Sequence, residues 1–323
     1  MKKSVAMMLV LAGICCWHVQ SAGAKENQRF RGGVGLGVMA FDRGDNLDPN
    51  GSKRHIDTLD KKAERELTVI PLLAPFFSYD VGTPGGGVVQ FMVRPPIEEA
   101  GGLVVNLGGT YYLPAGGSIQ LNALVAPLEE AWENPYLVGE RRSSTDSPKY
   151  GLHLAWREIG GTGLSLHGVY LRDEVDNDRI GDLLPELARE GAIYALAAEY
   201  RMPLSEAFEI KTRASYLQGD YDGVSNSFTR YRIRVQASYR LGAVTLKPEI
   251  SYRHTSYDEI DPMFGITREE DAYGIDLTVQ YQAPFGLQGW ALLGMAGYGR
   301  GDNDIAFYET ESLRVGSLLT YYF

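Results

Sequence analysis

Apolar and polar residues alternate along most of this chain in segments of roughly ten, and after the N-terminus no run reaches the ~18 apolar residues that a membrane helix requires. Alternation with a period of two is the signature of a β-strand with one greasy and one wet face. The clearest case is TRYRIRVQASYRL, Thr229 to Leu241. Arg230, Arg232, Arg234 and Arg240 share one face, while Tyr231, Ile233, Val235, Ala237, Tyr239 and Leu241 occupy the other. A single strand of this kind fits a soluble sandwich as well as a membrane barrel. The repetition of the pattern separates the two.

Fourteen such segments are legible, at about 30–41, 67–80, 87–95, 102–113, 118–128, 149–159, 163–173, 191–202, 207–219, 229–241, 243–256, 271–283, 289–300 and 312–323. Their connections alternate in length. Short turns (VGTPGGG, LPAGGS, GGTG, PLSEA, LGA, PFGLQG) take turns with long acidic stretches, at Asp42 to Glu66, Glu129 to Pro148, Glu174 to Glu190, Asp258 to Glu270 and Gly301 to Glu311. A membrane barrel sorts its connections this way, with tight periplasmic turns and long extracellular loops. The fold expected is therefore all-β: a transmembrane antiparallel up-and-down β-barrel of about 14 strands. Twelve result if the irregular VVQFMVRPP and a neighbour do not span.

Aromatic placement agrees. Phe208 and Tyr216, Tyr231 and Tyr239, and Tyr273 and Tyr281 are pairs eight residues apart on the apolar face. Eight residues of tilted strand climb on the order of 20 Å, close to the separation of the aromatic girdles that bracket the apolar band of a membrane barrel. The chain ends SLRVGSLLTYYF, with Phe323 on the apolar face of the closing strand, where it looks like the signal read by the outer-membrane assembly machinery. RFRGGVGLGVMAF is the expected first strand, which pairs with the last so that no edge is left open in lipid.

The N-terminus, MKKSVAMMLVLAGICCWHVQSAGA, joins Lys2 and Lys3 to an apolar run and small residues, and reads as a signal peptide cleaved after Ala24. Residues 25–323 are then the barrel. Cys15 and Cys16 fall within the leader, which leaves no thiol for a disulfide or metal; neither is preceded by the small residue a lipobox wants. Removing Lys2 and Lys3 from 31 basic residues leaves 29 against 41 acidic ones, a balance of −12 that argues against a nucleic-acid partner.

From about residue 115 onward, AWENPYLVGERR, LRDEVDNDRIGDLLPELAREG, DPMFGITREEDAYGIDL, DNDIAFYET and the aromatic terminus resemble a family of Gram-negative proteins known as domain of unknown function 2860. Before residue 115 the likeness is one of layout. The resemblance implies an outer-membrane barrel and carries no assigned activity, so no catalytic residue follows from it.

If the apolar face of residues 229–241 meets lipid, Arg230, Arg232, Arg234 and Arg240 line the lumen. Lys211 and Arg213 on the preceding strand, and Lys247 and Arg253 on the following one, extend the basic wall. Confinement by a low-dielectric wall strengthens such a field, so one reading is a passive channel for small polar solutes that favours anions. In the other, inward carboxylates such as Glu209, Glu249 and Asp276 neutralise a closed lumen, and the barrel is a surface-binding or envelope-interaction protein. A third is a lipid-modifying enzyme. Partners would be membrane lipid, lipopolysaccharide and small solutes.

No cofactor motif is present, and no enzymatic activity is expected. Asp173, Glu174, Asp176, Asp178, Asp302 and Asp304 are oxygen ligands without calcium-loop spacing, so no metal site is assigned. Ser165 and His167 share an inward face, and His254 shares the outward face of Tyr252 near a strand's outer end. Each reads as an ordinary polar residue of its surface. The loop 129–148 is long enough to fold inward on Trp132 and Tyr136, and Ile180 to Arg189 predicts a short amphipathic helical turn using Leu183, Leu184 and Leu187.

Overall fold

A computed structural model describes residues 29–82, 86–94 and 104–323. The expected signal peptide and both cysteines lie outside these residues, as do the last two residues of VVQFMVRPP. The strands are β1 (Phe30–Gly44), β2 (Glu66–Asp80), β3 (Gly87–Arg94), β4 (Val104–Tyr112), β5 (Ser118–Ala126), β6 (Glu130–Trp132), β7 (Ser144–Asp146) and β8 (Lys149–Arg157). They continue as β9 (Leu164–Asp173), β10 (Gly191–Pro203), β11 (Phe208–Tyr221), β12 (Phe228–Leu241), β13 (Val244–Asp261), β14 (Ile266–Gln282), β15 (Trp290–Asn303) and β16 (Thr310–Tyr322). All but β6 and β7 close into one antiparallel barrel of fourteen strands. The twelve-stranded alternative is excluded, because β3 pairs with both β2 and β4.

Closure follows from the pairing of the first and last strands. Gly33 to Gly44 runs antiparallel to Tyr322 to Glu311, and the amide of Phe323 donates to the carbonyl of Gly32 at 3.0 Å. At Gly37 a β-carbon would stand 2.1 Å from the Ser317 carbonyl oxygen, so this seam closes only around a residue without a side chain. The tightest turn joins β12 to β13 through Gly242 and Ala243, with Gly242 at φ 60°, the conformation a two-residue hairpin imposes on its first central position.

Alternation places the apolar set outward. Leu36, Leu67, Leu154, Leu196, Ile250 and Ile275 are each more than half exposed, and among the described residues they belong to an outward apolar belt far larger than the patches soluble proteins present to water. Two levels of aromatic rings frame it. At the loop end Tyr216 meets Tyr231 at 5.4 Å and Tyr252 meets Tyr273 at 5.3 Å between ring centroids. At the turn end Phe208 meets Tyr239 at 6.1 Å and Trp290 meets Tyr321 at 5.0 Å. The barrel thus carries the surface of a transmembrane protein.

The loop end departs from the sequence reading in three places. Asp258 to Glu270, read as a long loop, is a tall hairpin in which β13 and β14 continue to a four-residue turn at 262–265. A register shift between Ser256 and Ile260 bends it, and charged residues mask its period. Within 127–148, β6 and β7 form a small ribbon. The helical turn is real, as α1 (Arg179–Leu183) followed by a 3₁₀ turn at Pro185–Leu187, but its buried residues are Ile180 and Leu187, while Leu183 is exposed.

Candidate functional site in the barrel lumen

The inward face of β11, β12 and β13 carries the predicted basic wall. Its charged residues are eight basic side chains (Lys211, Arg213, Arg230, Arg232, Arg234, Arg240, Lys247 and Arg253) against Glu209, Glu249 and, at the loop end of β13, Asp261. The register brings Arg213 opposite Arg234, and Arg232 opposite Arg253. Flanking strands supply counter-charges. Arg234 meets Glu249 at 3.5 Å, Lys211 and Arg213 each approach Glu199 of β10 at 3.9 Å, and Arg253 bonds Glu270 of β14. Arg230 donates to Thr255 Oγ1 at 2.9 Å and lies 4.5 Å from the centre of the Phe228 ring. Arg240 stands exposed at the turn end. Of the carboxylates named from sequence, Asp276 pairs instead with Arg314 of β16, through two oxygens at 2.6 and 2.7 Å.

These pairs hold the arginines against the wall without removing them from the lumen. The side chains of Arg201, Lys211, Arg253 and Arg314 keep 32, 34, 31 and 41% of their exposure. The opposite arc differs. Gln90, Asn106, Gln120, Asn122, His153 and His167, inward on β3, β4, β5, β8 and β9, are all buried. The cationic arc is less buried than the amide and imidazole arc, although Arg213 and Arg234 keep only 13 and 20% of their exposure.

At the loop end the connections fold onto one another. Arg142, buried, donates to the carbonyls of Asn46 at 2.9 Å and Pro135 at 3.0 Å, and to Ser52 Oγ at 3.0 Å, with its guanidinium 4.3 Å from the Trp132 ring centre. Burial lowers its pKa to about 10, so it stays charged at neutral pH. Asn46 donates onward to the Phe307 carbonyl at 3.0 Å. Arg268, also buried, lies 3.7 Å from the Tyr257 ring and 4.2 Å from the Tyr308 ring and donates to the Ser225 carbonyl at 3.0 Å. Tyr136, Ile180, Leu187, Ile305, Phe307 and Tyr308, from three different loops, share one apolar cluster. The result is a roof of interlocked loops with its own core.

A family model described as a protein of unknown function (DUF2860) matches residues 30–322. The chain belongs to this family. The likeness seen in sequence from residue 115 thus extends through the whole barrel. No curated protein matches the DUF2860 barrel at a significant level. Among solved structures it is similar to the outer-membrane channel DcaP of Acinetobacter baumannii, at 11% identity over 91% of this chain and 96% of that one, with a TM-score of 0.46. A loop-deletion form of OmpT, an outer-membrane protein of Vibrio cholerae, shows 12% identity over 91% and 98%, with a TM-score of 0.43. The CymD monoaromatic hydrocarbon channel shows 9% identity over 92% and 89%, with a TM-score of 0.44.

In the DUF2860 barrel the inward histidines form a chain that sequence reading did not assemble. Gln90 donates to Asn122 Oδ1 at 3.3 Å, Asn122 Nδ2 lies 3.2 Å from His153 Nδ1, and His153 Nε2 lies 3.1 Å from His167 Nδ1. With the Asn122 amide donating, each imidazole carries its proton on Nε2, and His153 donates to His167. Ser165 is not in this chain, since its Oγ accepts from the Glu158 amide at 3.0 Å. Four of the acidic residues named from sequence, Asp173, Glu174, Asp178 and Asp302, are engaged by protein groups. Asp173 bonds Lys149 and Tyr221, and Asp178 caps α1 and binds Arg189.

Proposed function

We propose that this protein is an outer-membrane conduit for small polar solutes, with a cationic stripe that favours anions and a mouth narrowed by its own loops. The observation that carries the reading is the eight-to-three excess of basic over acidic residues on the inward face of β11 to β13, where side chains such as Lys211 and Arg253 keep part of their exposure. A low-dielectric wall makes that excess count for more than on an open surface. Lateral pairing with Glu199, Glu249 and Glu270 fixes the guanidinium groups in place and moderates the field. In this reading the mature chain starts near Lys25, reaches the outer membrane of a Gram-negative bacterium through a cleaved leader, and is inserted by assembly machinery that recognises Phe323.

The interlocked loop roof favours a second reading, a closed barrel that presents its loops to an envelope or surface partner. Planar-bilayer conductance of the refolded mature protein separates the two. A conduit gives discrete current steps with anion preference, and Arg232→Glu with Arg234→Glu weakens or reverses that preference. No current from well-folded barrel, in the native chain or after the roof is loosened, overturns the conduit and leaves the closed barrel.

A further inference from the structure

The outward face of β13 and β14 holds a hydrogen-bonded chain with the order of a nucleophilic triad. His254 and Ser256 are two residues apart on β13 and share the lipid-side register of Ile250 and Tyr252. Ser256 Oγ lies 3.1 Å from His254 Nε2, and His254 Nδ1 lies 3.0 Å from Asp271 Oδ1, which arrives from β14 as the register partner of His254. Tyr252 donates its hydroxyl to the same Asp271 oxygen at 2.6 Å, which fixes the carboxylate. The bonding assigns protons: Asp271 holds Nδ1–H, so Nε2 carries the lone pair that accepts from the Ser256 hydroxyl. A serine is activated in this arrangement, with the base within reach of the nucleophile and a third group orienting the base.

Position selects the substrate. His254 and Asp271 share a register row with Tyr231, one step above the row of Tyr252, Tyr273 and Ile233, and below that Ile250 and Ile275 continue an apolar wall. Rings at this level mark the headgroup boundary, where the ester carbonyls of outer-leaflet lipids lie. The His254 and Asp271 side chains keep 34% and 46% of their exposure, so the chain is open to that layer. Glu269, register partner of Ser256, and Asp302, register partner of Asp271, surround it with negative charge; Arg300 is held by Asp302. An anionic headgroup is disfavoured there, and one bearing an ammonium is favoured. Thr229, beside Ser256 on β12, places a hydroxyl donor next to the serine.

We infer that Ser256, His254 and Asp271 form an acyl-ester hydrolase site on the outer wall of the barrel, acting on zwitterionic glycerophospholipids of the outer leaflet. Ser256 Oγ attacks the ester carbonyl carbon while its proton passes to His254 Nε2. The bond to the glycerol oxygen breaks, His254 returns the proton to that oxygen, and a lysophospholipid leaves an acyl-serine. Water, deprotonated by His254, then attacks the acyl carbon; the fatty acid departs and Ser256 regains its proton. Asp271 is a positioning residue that acts through His254. The site uses the outer face and does not depend on the lumen reading.

The test uses the mature chain folded in vesicles of phosphatidylethanolamine carrying a fluorogenic acyl ester, with and without added divalent cation, and a fluorophosphonate probe followed by peptide mass analysis. The expected results are acyl release, faster than from phosphatidylglycerol vesicles, and an adduct on Ser256. Ser256→Ala and His254→Ala lower release by at least about 1,000-fold while the barrel keeps its heat-modifiable migration. Ser165→Ala, inside the lumen, leaves release unchanged. Asp271→Asn lowers kcat for release with KM unchanged, and Asp271→Glu restores part of the loss; a merely structural role would not give this split or this rescue. No adduct and no release from well-folded native chain under any of these conditions overturns the site, as does release that Ser256→Ala retains.

Discussion

The hydroxyls of Tyr136 and Tyr308 lie 2.7 Å apart although 172 residues separate them in sequence. Tyr308 donates its single proton to Asp261 Oδ2, so Tyr136 must be the donor to Tyr308. Burial pushes the Tyr136 phenol up to about 12 and that of Tyr308 well above its ordinary value, so both protons stay in place at physiological pH. The roof is thereby tied across the mouth by a directed chain ending on a buried carboxylate that Arg268 accompanies at 3.7 Å.

Tyr308→Phe breaks that chain in the middle, leaving the Tyr136 hydroxyl without its acceptor and Asp261 Oδ2 without its hydroxyl donor, while Asp261 Oδ1 keeps the Met263 amide. A buried polar group stripped of its partner costs about 1–3 kcal/mol. The expected outcome is faster amide exchange and proteolysis in residues 127–148 and 304–309, with the barrel strands unaffected. Equal protection in native and variant chains would show that the apolar cluster alone holds the roof.

Arg142→Met removes the donor to the Asn46, Pro135 and Lys53 carbonyls and the Ser52 hydroxyl and is expected to cost the roof roughly 3 kcal/mol, since the orphaned acceptors lose their partner. Exchange at residues 45–65 should rise together with that at 127–148. In a conduit, the variant should also give larger current steps than the native chain.

Asp45, at the foot of the first loop, has its pKa raised to about 6 by burial and by the neighbouring Asp48 carboxylate. A carboxyl whose pKa is raised by folding holds its proton in the folded state. It therefore adds stability that is fully present below the usual carboxylate range and lost as pH rises through about 6. Exchange protection of the first loop is expected to fall between about pH 4 and 6, and Asp45→Asn should flatten that change. An identical profile in the variant removes Asp45 as the cause.

Glu249→Gln takes the carboxylate from Arg234 and Gln236 without changing its size. Among conduits this substitution should strengthen anion preference, opposite in sign to Arg234→Glu. Reversal potentials under a salt gradient read the sign directly.

Ile250→Arg places a charge on the lipid face of β13 within the apolar belt, where exposure of Ile250 is 59%. Such a substitution near mid-membrane costs about 2–4 kcal/mol. Urea unfolding in lipid should show the loss, while a change at the inward neighbour Ser251 should be far milder.

The alternation of residues 229–241 determined by itself which side chains meet lipid and which meet the lumen, because a strand turns successive residues to opposite faces whatever it pairs with. The fourteen-strand count, the turn-side connections, the girdle tyrosines and the seam partner of Phe323 were legible for the same local reason. His254 and Ser256 could also be placed on one face by that rule. What the rule cannot supply is register between strands: Asp271 reaches His254 only because β13 and β14 pair through a hairpin whose charged residues hide its period. The roof lay further out of reach. Asn46 finds the Phe307 carbonyl 261 residues away, and Arg142 finds Ser52 90 residues away, only once closure has gathered the loops at one end of the cylinder. Side-chain direction is written locally, whereas meetings between distant loops are fixed by the closed shape that brings their ends together.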